Sequence, residues 1–308
     1  MKIIFAGTTG FAAHHLELVH ASKHQIPLVL TQPDRKSGRG RKIKHSPVKI
    51  YSQDNSLEIL QPNSLINSTE LESKIKTSGA DLLLVVAYGQ IIPGQILKAT
   101  KHGAINVHAS LLPLWRGASP IEHMIMSGDS KGGLTFMKMD EGLDTGPILE
   151  LYDCKIDQKE TRSSLEEKLK KISSSNFLSF LDRFEEGKII EKEQDHSLSS
   201  YAKKIKKEDR KISCDRMEAV QVDRKIRALS EEHSCYIEYK GKKLILLSAL
   251  PSKLPMSLRA GEILADNGRL FLGCMNKSFL EIITLQIPGK SPVSSSSFIS
   301  GYKSLLET

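Results

Sequence analysis

Within the first 140 residues, short apolar runs alternate with segments of helical character, and that alternation constrains the possible fold more than any other feature. Lys2–Ala6, Pro27–Thr31, Asp81–Ala87, Ala104–Val107 and Leu134–Met139 read as strands. Phe11–Ala21 carries apolar residues at helical spacing, and Ser68–Lys76 is a shorter helical segment. Pro120–Met126 opens a further helix with its proline in the first turn. Strands that alternate with helices imply an α/β unit with a mostly parallel, doubly wound, Rossmann-like sheet. Thr161–Phe184 then reads as a long helix, with Ser163 or Ser164 near its start and Gly187 just past its end.

After Gly187 the texture changes. Residues 188–211 are polar and charged, and include Lys203-Lys-Ile-Lys-Lys207. One helical segment, Met217–Leu229, is followed by the short strand candidates Ser234–Tyr239, Lys243–Ser248, Glu262–Ala265, Leu270–Gly273 and Leu280–Leu285. Gly-Lys, Asn-Gly and Pro-Gly turns between them suggest a small β-barrel. The serine run Ser294–Ser297 reads as a loop. A length of 308 residues fits two domains, expected at 1–188 and 206–308 with a linker at 189–205.

Composition removes several classes of function. No run of eighteen apolar residues is present, so no membrane span is expected. Met1-Lys-Ile-Ile-Phe-Ala-Gly7 is too short an apolar stretch for a secretory signal. Cys154, Cys214, Cys235 and Cys274 are scattered without a Cys-x-x-Cys pair, as in a reduced cytoplasmic protein without disulfides or a zinc site. Gly7-Thr-Thr-Gly10 lacks the full dinucleotide glycine spacing, and no acidic residue ends the second strand; it reads as a tight strand-to-helix turn near a ligand. No Walker-type phosphate loop occurs.

The net charge of +8 is unevenly placed. Residues 34–49 carry seven Lys/Arg (Arg35, Lys36, Arg39, Arg41, Lys42, Lys44, Lys49) against Asp34 alone, a local charge of +6. Residues 201–308 carry 19 Lys/Arg against 12 Asp/Glu, a further +7, which leaves about −5 elsewhere. Positive charge confined to one loop and one distal region is the pattern of two surfaces that face the same polyanion. The loop from Thr31 to Lys49 is long, rich in glycine and arginine, and poor in apolar anchors, so it is expected to order on phosphate.

Chemistry concentrates between Gly103 and Pro147. Asn106 and His108 are two residues apart on one strand and therefore project from the same face, at a strand end where α/β sheets place their sites. Ser110-Leu-Leu-Pro113 and Arg116-Gly117 follow as a stiff loop, with the lone tryptophan, Trp115, beside them; a plain core role suits that side chain. Asp144 sits between Gly142 and Gly146, directly after the Leu134–Met139 strand, and Asp140 reads as a residue that shapes the loop. An amide donor, an imidazole and a fixed carboxylate suffice for acyl transfer without a metal or a covalent nucleophile.

These residues resemble the methionyl-tRNA formyltransferase family. The resemblance rests on Ile3-Ile-Phe-Ala-Gly7, Thr31-Gln-Pro-Asp-Arg35 with Gly38-Arg-Gly40 and Pro47-Val-Lys49, Val85-Val-Ala-Tyr-Gly89, Asn106-Val-His108, Ser110–Pro113 with Trp115-Arg-Gly117, and Gly142–Gly146. It implies formyl transfer from 10-formyltetrahydrofolate to the amino group of methionyl initiator tRNA, for initiation of translation. Asn106, His108 and Asp144 would be catalytic: Asn106 donates to the oxyanion, His108 manages the proton, and Asp144 fixes the imidazole in its charged form. Ser110, Leu111, Leu112 and Pro113, with the strand end Val86, Tyr88 and Gly89, would line the folate site. Arg35, Arg39, Arg41, Lys42 and Lys44 would meet the acceptor stem, and an OB-like C-terminal domain would lie along the tRNA backbone. The resemblance implies no metal and no membrane, and a monomer is expected.

The chain departs from the family pattern at three places. Gly7-Thr-Thr-Gly10 replaces a turn that usually carries Thr-Pro, Ala109 stands where glycine is usual, and Arg227–Tyr236 replaces an Asn-Pro-Trp-Pro-like stretch. Two other readings stay open at this point. A folate-dependent formyltransferase acting on a small amine, a nucleotide or an amino sugar, would need the trio but not the basic regions. A non-catalytic RNA-binding protein on the same fold would need the basic regions but not the trio.

Overall fold

The computed structural model describes residues 1–37, 42–66, 68–231, 233–253 and 258–306, and the chain divides into two compact units. The first comprises Met1–Pro120, Lys131–Cys154 and Glu166–Ala202; the second comprises Ile121–Ser130, Lys155–Leu165 and Lys203–Thr308.

In chain order the first part of the molecule contains β1 (Lys2–Gly7), α1 (Gly10–His20), β2 (Gln25–Leu30), β3 (Arg35–Ser37), β4 (Lys42–Lys44), α2 (Pro47–Asp54), β5 (Ile59–Leu60), α3 (Thr69–Thr77), β6 (Leu82–Val86), α4 (Gly94–Leu97), β7 (Ala104–His108), β8 (Arg116–Gly117), α5 (Pro120–Ser127), β9 (Lys131–Lys138), β10 (Ile148–Lys155), α6 (Arg162–Glu185) and β11 (Tyr201–Ala202). A seven-stranded sheet runs β10-β9-β7-β6-β1-β2-β5. The pairs β7–β6, β6–β1, β1–β2 and β2–β5 are parallel, whereas β7–β9 is antiparallel, so the sheet is mostly parallel as the alternation of elements requires. Ile3, Ile4, Phe5, Ala6, Leu82, Leu83 and Leu84 are fully buried, which is the burial of strands covered on both faces. The strand order reverses beside β1: β2 and β5 lie on one flank, β6 and β7 on the other. That reversal opens a crevice at the carboxyl ends of β1 and β6, where ligands bind in folds of this type.

Local chemistry explains the crevice floor. Gly7 ends β1, and a Cβ there would lie 2.6 Å from Phe5 Cε1 and 2.7 Å from Ala12 Cβ, so only glycine lets α1 return so closely to the strand. Thr9 caps α1 by accepting from the Ala12 N–H. Further along, His15 is completely buried between Phe11 and Phe177. Its Nδ1 donates to the Phe11 carbonyl at 2.8 Å and its Nε2 accepts from Ser173 Oγ at 2.7 Å, which satisfies one neutral tautomer completely. Burial pushes the imidazole down to about 3. The long helix α6 contributes Phe177 and Phe180, whose rings lie 5.5 and 4.6 Å from that of Phe136 on β9. At the start of α6, Thr161 rather than a serine takes the capping role, accepting the Ser164 N–H on its Oγ1.

The basic segment is more structured than a long loop. Arg35–Ser37 and Lys42–Lys44 pair as a β-hairpin, and Pro47 begins α2 behind the cap Ser46. Asp34 closes the base of this hairpin. Its carboxylate accepts from Lys49 Nζ and from Gln61 Nε2, and lies 3.0 Å from His45 Nδ1; the Lys49 ammonium, then the Gln61 amide and the imidazole, hold it well below the usual carboxylate range. The pairing has a simple cause: side-chain bonds to one carboxylate supply the anchoring that apolar residues do not.

The second unit holds α7 (Ala219–Leu229), β12 (Cys235–Tyr239), β13 (Lys242–Ser252), β14 (Ile263–Asp266), β15 (Arg269–Gly273), β16 (Phe279–Gln286), β17 (Val293–Ser294), α8 (Ser295–Gly301) and α9 (Lys303–Leu306). The described strands form an antiparallel sheet ordered β12-β13-β16-β15-β14, with β17 paired to β16. Lys240-Gly241 and Asn267-Gly268 both take positive φ and close two-residue hairpins, as the right-handed twist of the strands favours. Val222, Ile226 and Leu229 bury one face of α7 at helical spacing. The serine run is not a loop. Ser294 ends β17 and caps α8, its Oγ accepting from the Ser297 N–H, so serines that look unstructured by composition act as a helix start.

Candidate active site

β7 delivers Asn106 and His108 from one face, with 9% and 5% of their surface exposed. Asn106 sits opposite Val85 on β6 and Met137 on β9, and His108 sits opposite Thr135, so neighbouring strands fix both backbones. The loop between β9 and β10 brings Asp144 onto them. Asn106 Nδ2 donates to Asp144 Oδ1 at 3.2 Å, and His108 Nδ1 lies 3.7 Å from Asp144 Oδ2, an ion pair whenever the imidazole is protonated. His108 Nε2 donates to the Trp115 carbonyl at 2.9 Å, which commits that nitrogen to its proton and leaves Nδ1 as the exchangeable position.

Asp144 is held by its own surroundings as much as by Asn106 and His108. Its φ is +52°, and the Gly117 N–H donates to its Oδ2 at 2.8 Å. Gly146 is obligatory, since a Cβ there would meet the Lys138 carbonyl oxygen at 2.1 Å. Asp140 accepts from the Gly142 N–H and from Thr145 Oγ1, the loop-shaping role its sequence position suggests. The residues after His108 form a second rigid segment. Ser110 and Leu112 are buried: Ser110 Oγ donates to the Leu114 carbonyl, and Leu112 packs on Met137 and Ile148. Thr135 Oγ1 donates to the Ser110 carbonyl and accepts from the Leu112 N–H, which ties this segment to β9. Leu111 and Pro113 are half-buried, and Trp115 is half-buried rather than fully enclosed.

At the β6 end, Val86 and Tyr88 are buried and Gly89 is exposed with φ +77°. Thr8 Oγ1 donates to the Tyr88 carbonyl, and Gln32 Nε2 donates to the carbonyls of both Tyr88 and Gly89. Burial raises the Tyr88 phenol to about 12. Arg35 is exposed and donates to Gln32 Oε1 at 2.8 Å; it borders a cavity of about 390 Å³ with Asn63, Leu65, Ile66, Gln90 and Ile91. Lys44 is exposed opposite Arg35 in the hairpin, and Lys42 begins the same strand. Arg39 and Arg41 lie outside the described residues.

Sequence reasoning missed Gln194, Gln32 and Thr135. Gln194 is 5% exposed yet lies in a polar, charged stretch that offers no signal of burial. Residues 192–202 return to the first unit: Lys192 bridges Ile148, and Tyr201–Ala202 pair in parallel with Arg116–Gly117. Among the described residues one cluster could offer three metal ligands, His24, Asp182 and Glu185, and the Lys23 ammonium already lies 2.8 Å from Asp182.

Comparison with known proteins identifies the family. Residues 1–181 match the family model described as formyl transferase, and residues 204–303 match that described as formyl transferase, C-terminal domain. The methionyl-tRNA formyltransferase of Pseudoalteromonas translucida is 38% identical over 304 residues, covering 98% of this chain and 94% of its own length. That of Nitrosomonas eutropha is 37% identical over 303 residues, with 98% and 95% covered. Among solved structures, the sugar 3N-formyl transferase WlaRD superposes with a TM-score of 0.67 at 18% identity over 94% of this chain and 99% of its own. HypX from Aquifex aeolicus, solved in complex with tetrahydrofolic acid, gives 0.62 at 17% over 97% and 47%. Those two likenesses speak for the fold alone. With full-length sequence relatives and both domain matches in place, the chain belongs to the formyl transferase family, among the methionyl-tRNA formyltransferases.

Proposed function

We propose that this chain moves the formyl group of 10-formyltetrahydrofolate to the free amino group of methionyl initiator tRNA, for initiation of translation. The observation that carries the formyl-transfer chemistry is the junction at the end of β7, where Asn106 and His108 both meet Asp144, at 3.2 and 3.7 Å; the full-length likeness to methionyl-tRNA formyltransferases and the basic hairpin support the tRNA acceptor. The amine nitrogen attacks the formyl carbon, the carbonyl oxygen takes up negative charge, and the bond from carbon to the folate nitrogen then breaks. Asn106 has a second amide N–H beyond the one given to Asp144, and that hydrogen donates to the oxyanion. His108 Nδ1 takes the proton the amine loses and returns one to the leaving nitrogen, while Nε2 stays bonded to Trp115. Asp144 stabilises the imidazolium between those two events.

The folate would lie along Val86, Tyr88 and Gly89 and the segment Ser110–Pro113. With Ser110 and Leu112 buried, Leu111 and Pro113 offer side-chain surface, while Ser110 and Leu112 set the backbone. The hairpin with Arg35, Lys42 and Lys44, together with Arg39 and Arg41, supplies charge for tRNA phosphate. In the second unit Lys203, Lys204, Lys206 and Lys225 border a cavity of about 490 Å³ with Glu208 and Asp209, a second basic surface. A cytoplasmic monomer completes the reading.

The test is a transfer assay with Met-tRNA initiator, Met-tRNA elongator and free small amines. Formylation of the initiator species far above the others supports the proposal. Equal rates on a small amine nucleotide or amino sugar would replace it with the small-amine reading, and absence of turnover would leave a binding protein.

A further inference from the structure

We infer that Gln194 is a positioning residue for Asp144, polarised for that role by the buried guanidinium of Arg116. The inference rests on the assignment of Asp144 to the reaction. Arg116 is 2% exposed, and among the described residues its hydrogen-bond partners are an amide oxygen and an imidazole rather than a carboxylate. Nε and one terminal nitrogen both donate to Gln194 Oε1, at 3.2 and 2.6 Å, and that terminal nitrogen also donates to His196 Nδ1 at 2.9 Å. A buried cation that meets no carboxylate among the described residues is costly, so the structure must derive something from its placement.

Its effect passes through the Gln194 amide. Nε2 of Gln194 donates to the Asp144 carbonyl at 2.9 Å and to the Gly146 carbonyl at 2.7 Å. The cation draws electron density toward Oε1 and so strengthens both N–H donors, as hydrogen bonds in series do in a low dielectric. The two carbonyls flank the turn in which Asp144 holds φ +52°, a conformation a non-glycine residue keeps only when its neighbours impose it. From the other side, Arg116 is joined to the same turn through its chain neighbour: the Gly117 N–H donates to Asp144 Oδ2. The backbone of Asp144 is therefore held from Gln194 and its carboxylate from Gly117.

An amide meets these demands where other side chains fail. A carboxylate would pair with Arg116 but could not donate to either carbonyl. An ammonium or a second guanidinium would donate to the carbonyls but repel Arg116. The sequence hides this role, because the residues around Gln194 are charged and exposed and resemble a tether.

The test compares Gln194→Ala, Gln194→Glu, Asp144→Asn and the double variant Gln194→Ala/Asp144→Asn in the full chain, with rates expressed per folded molecule. Gln194→Ala is expected to lower kcat by about tenfold or more with KM for both substrates within about twofold, and Gln194→Glu to do the same while keeping side-chain volume. In the Asp144→Asn background the Gln194 change should cost nothing further, since the residue it positions has lost its charge. Multiplicative losses in the double variant, or a wild-type kcat in both Gln194 variants, would overturn the inference. Should Asp144→Asn itself turn over normally, the assignment of the site fails rather than the positioning. If Gln194→Ala does not fold, Gln194→Glu alone and combined with Asp144→Asn gives the same comparison.

Discussion

The backbone N–H of Gly117 donates to Oδ2 of Asp144 at 2.8 Å, which joins the loop after β7 to the loop after β9 at the carboxylate itself. Gly117 has φ +118°, and a Cβ there would lie 2.7 Å from the Ala202 carbonyl oxygen, so the residue that makes this bond can only be glycine. The oxygen facing His108 is thereby fixed by backbone, and substitutions in this cluster should act on turnover more than on substrate binding.

Asn106→Ala should lower kcat by roughly 100- to 1000-fold, the range found when one oxyanion donor is removed. His108→Ala should nearly abolish turnover while leaving tRNA binding intact. Single-turnover transfer rates together with equilibrium tRNA binding check both, and a wild-type rate in either variant contradicts the role assigned to that residue.

Lys44→Ala should weaken tRNA use and flatten its salt dependence, because each lost phosphate contact removes roughly 0.7 to 0.9 from the slope of log affinity against log salt. Lys49→Ala should behave differently, since that ammonium is neutralised by Asp34 at the hairpin base. Binding titrations across a salt series separate the two lysines.

His15 predicts how stability responds to acid. In the folded chain its imidazole is held at about 3, so between about 6.5 and 3 the unfolded chain binds a proton that the folded chain does not. The contribution is therefore complete above about pH 6.5 and declines as pH falls through that window, at up to about 1.4 kcal/mol per pH unit. Denaturant unfolding from pH 7 to 4.5 should show a shallower decline in His15→Gln than in the parent chain, and equal slopes would refute the assignment.

Gly7→Ala should cost about 1–3 kcal/mol of stability, because the added methyl group overlaps Phe5 and Ala12 at the junction of β1 and α1. Thermal or denaturant unfolding measures it, and an unchanged midpoint would mean that α1 withdraws from the strand at little cost.

Much of this is legible in the sequence itself. The alternation of apolar runs with helical segments determined the parallel sheet, because a strand followed by a helix has few ways to bury both. The two-residue spacing of Asn106 and His108 determined their shared face, a consequence of the pleat. The hairpin at Arg35–Lys44 and the cap at Ser294 were not legible, because bonds to Asp34 and to the Ser297 N–H leave no trace in composition. The pairing of Asn106 with Asp144, the donation from Gly117, and the recruitment of Gln194 from a polar stretch were decided by tertiary structure alone. The physical reason is one of range. Periodicity along the chain reports which face is buried, whereas a hydrogen bond between residues 50 positions apart depends on where the sheet brings two loops together.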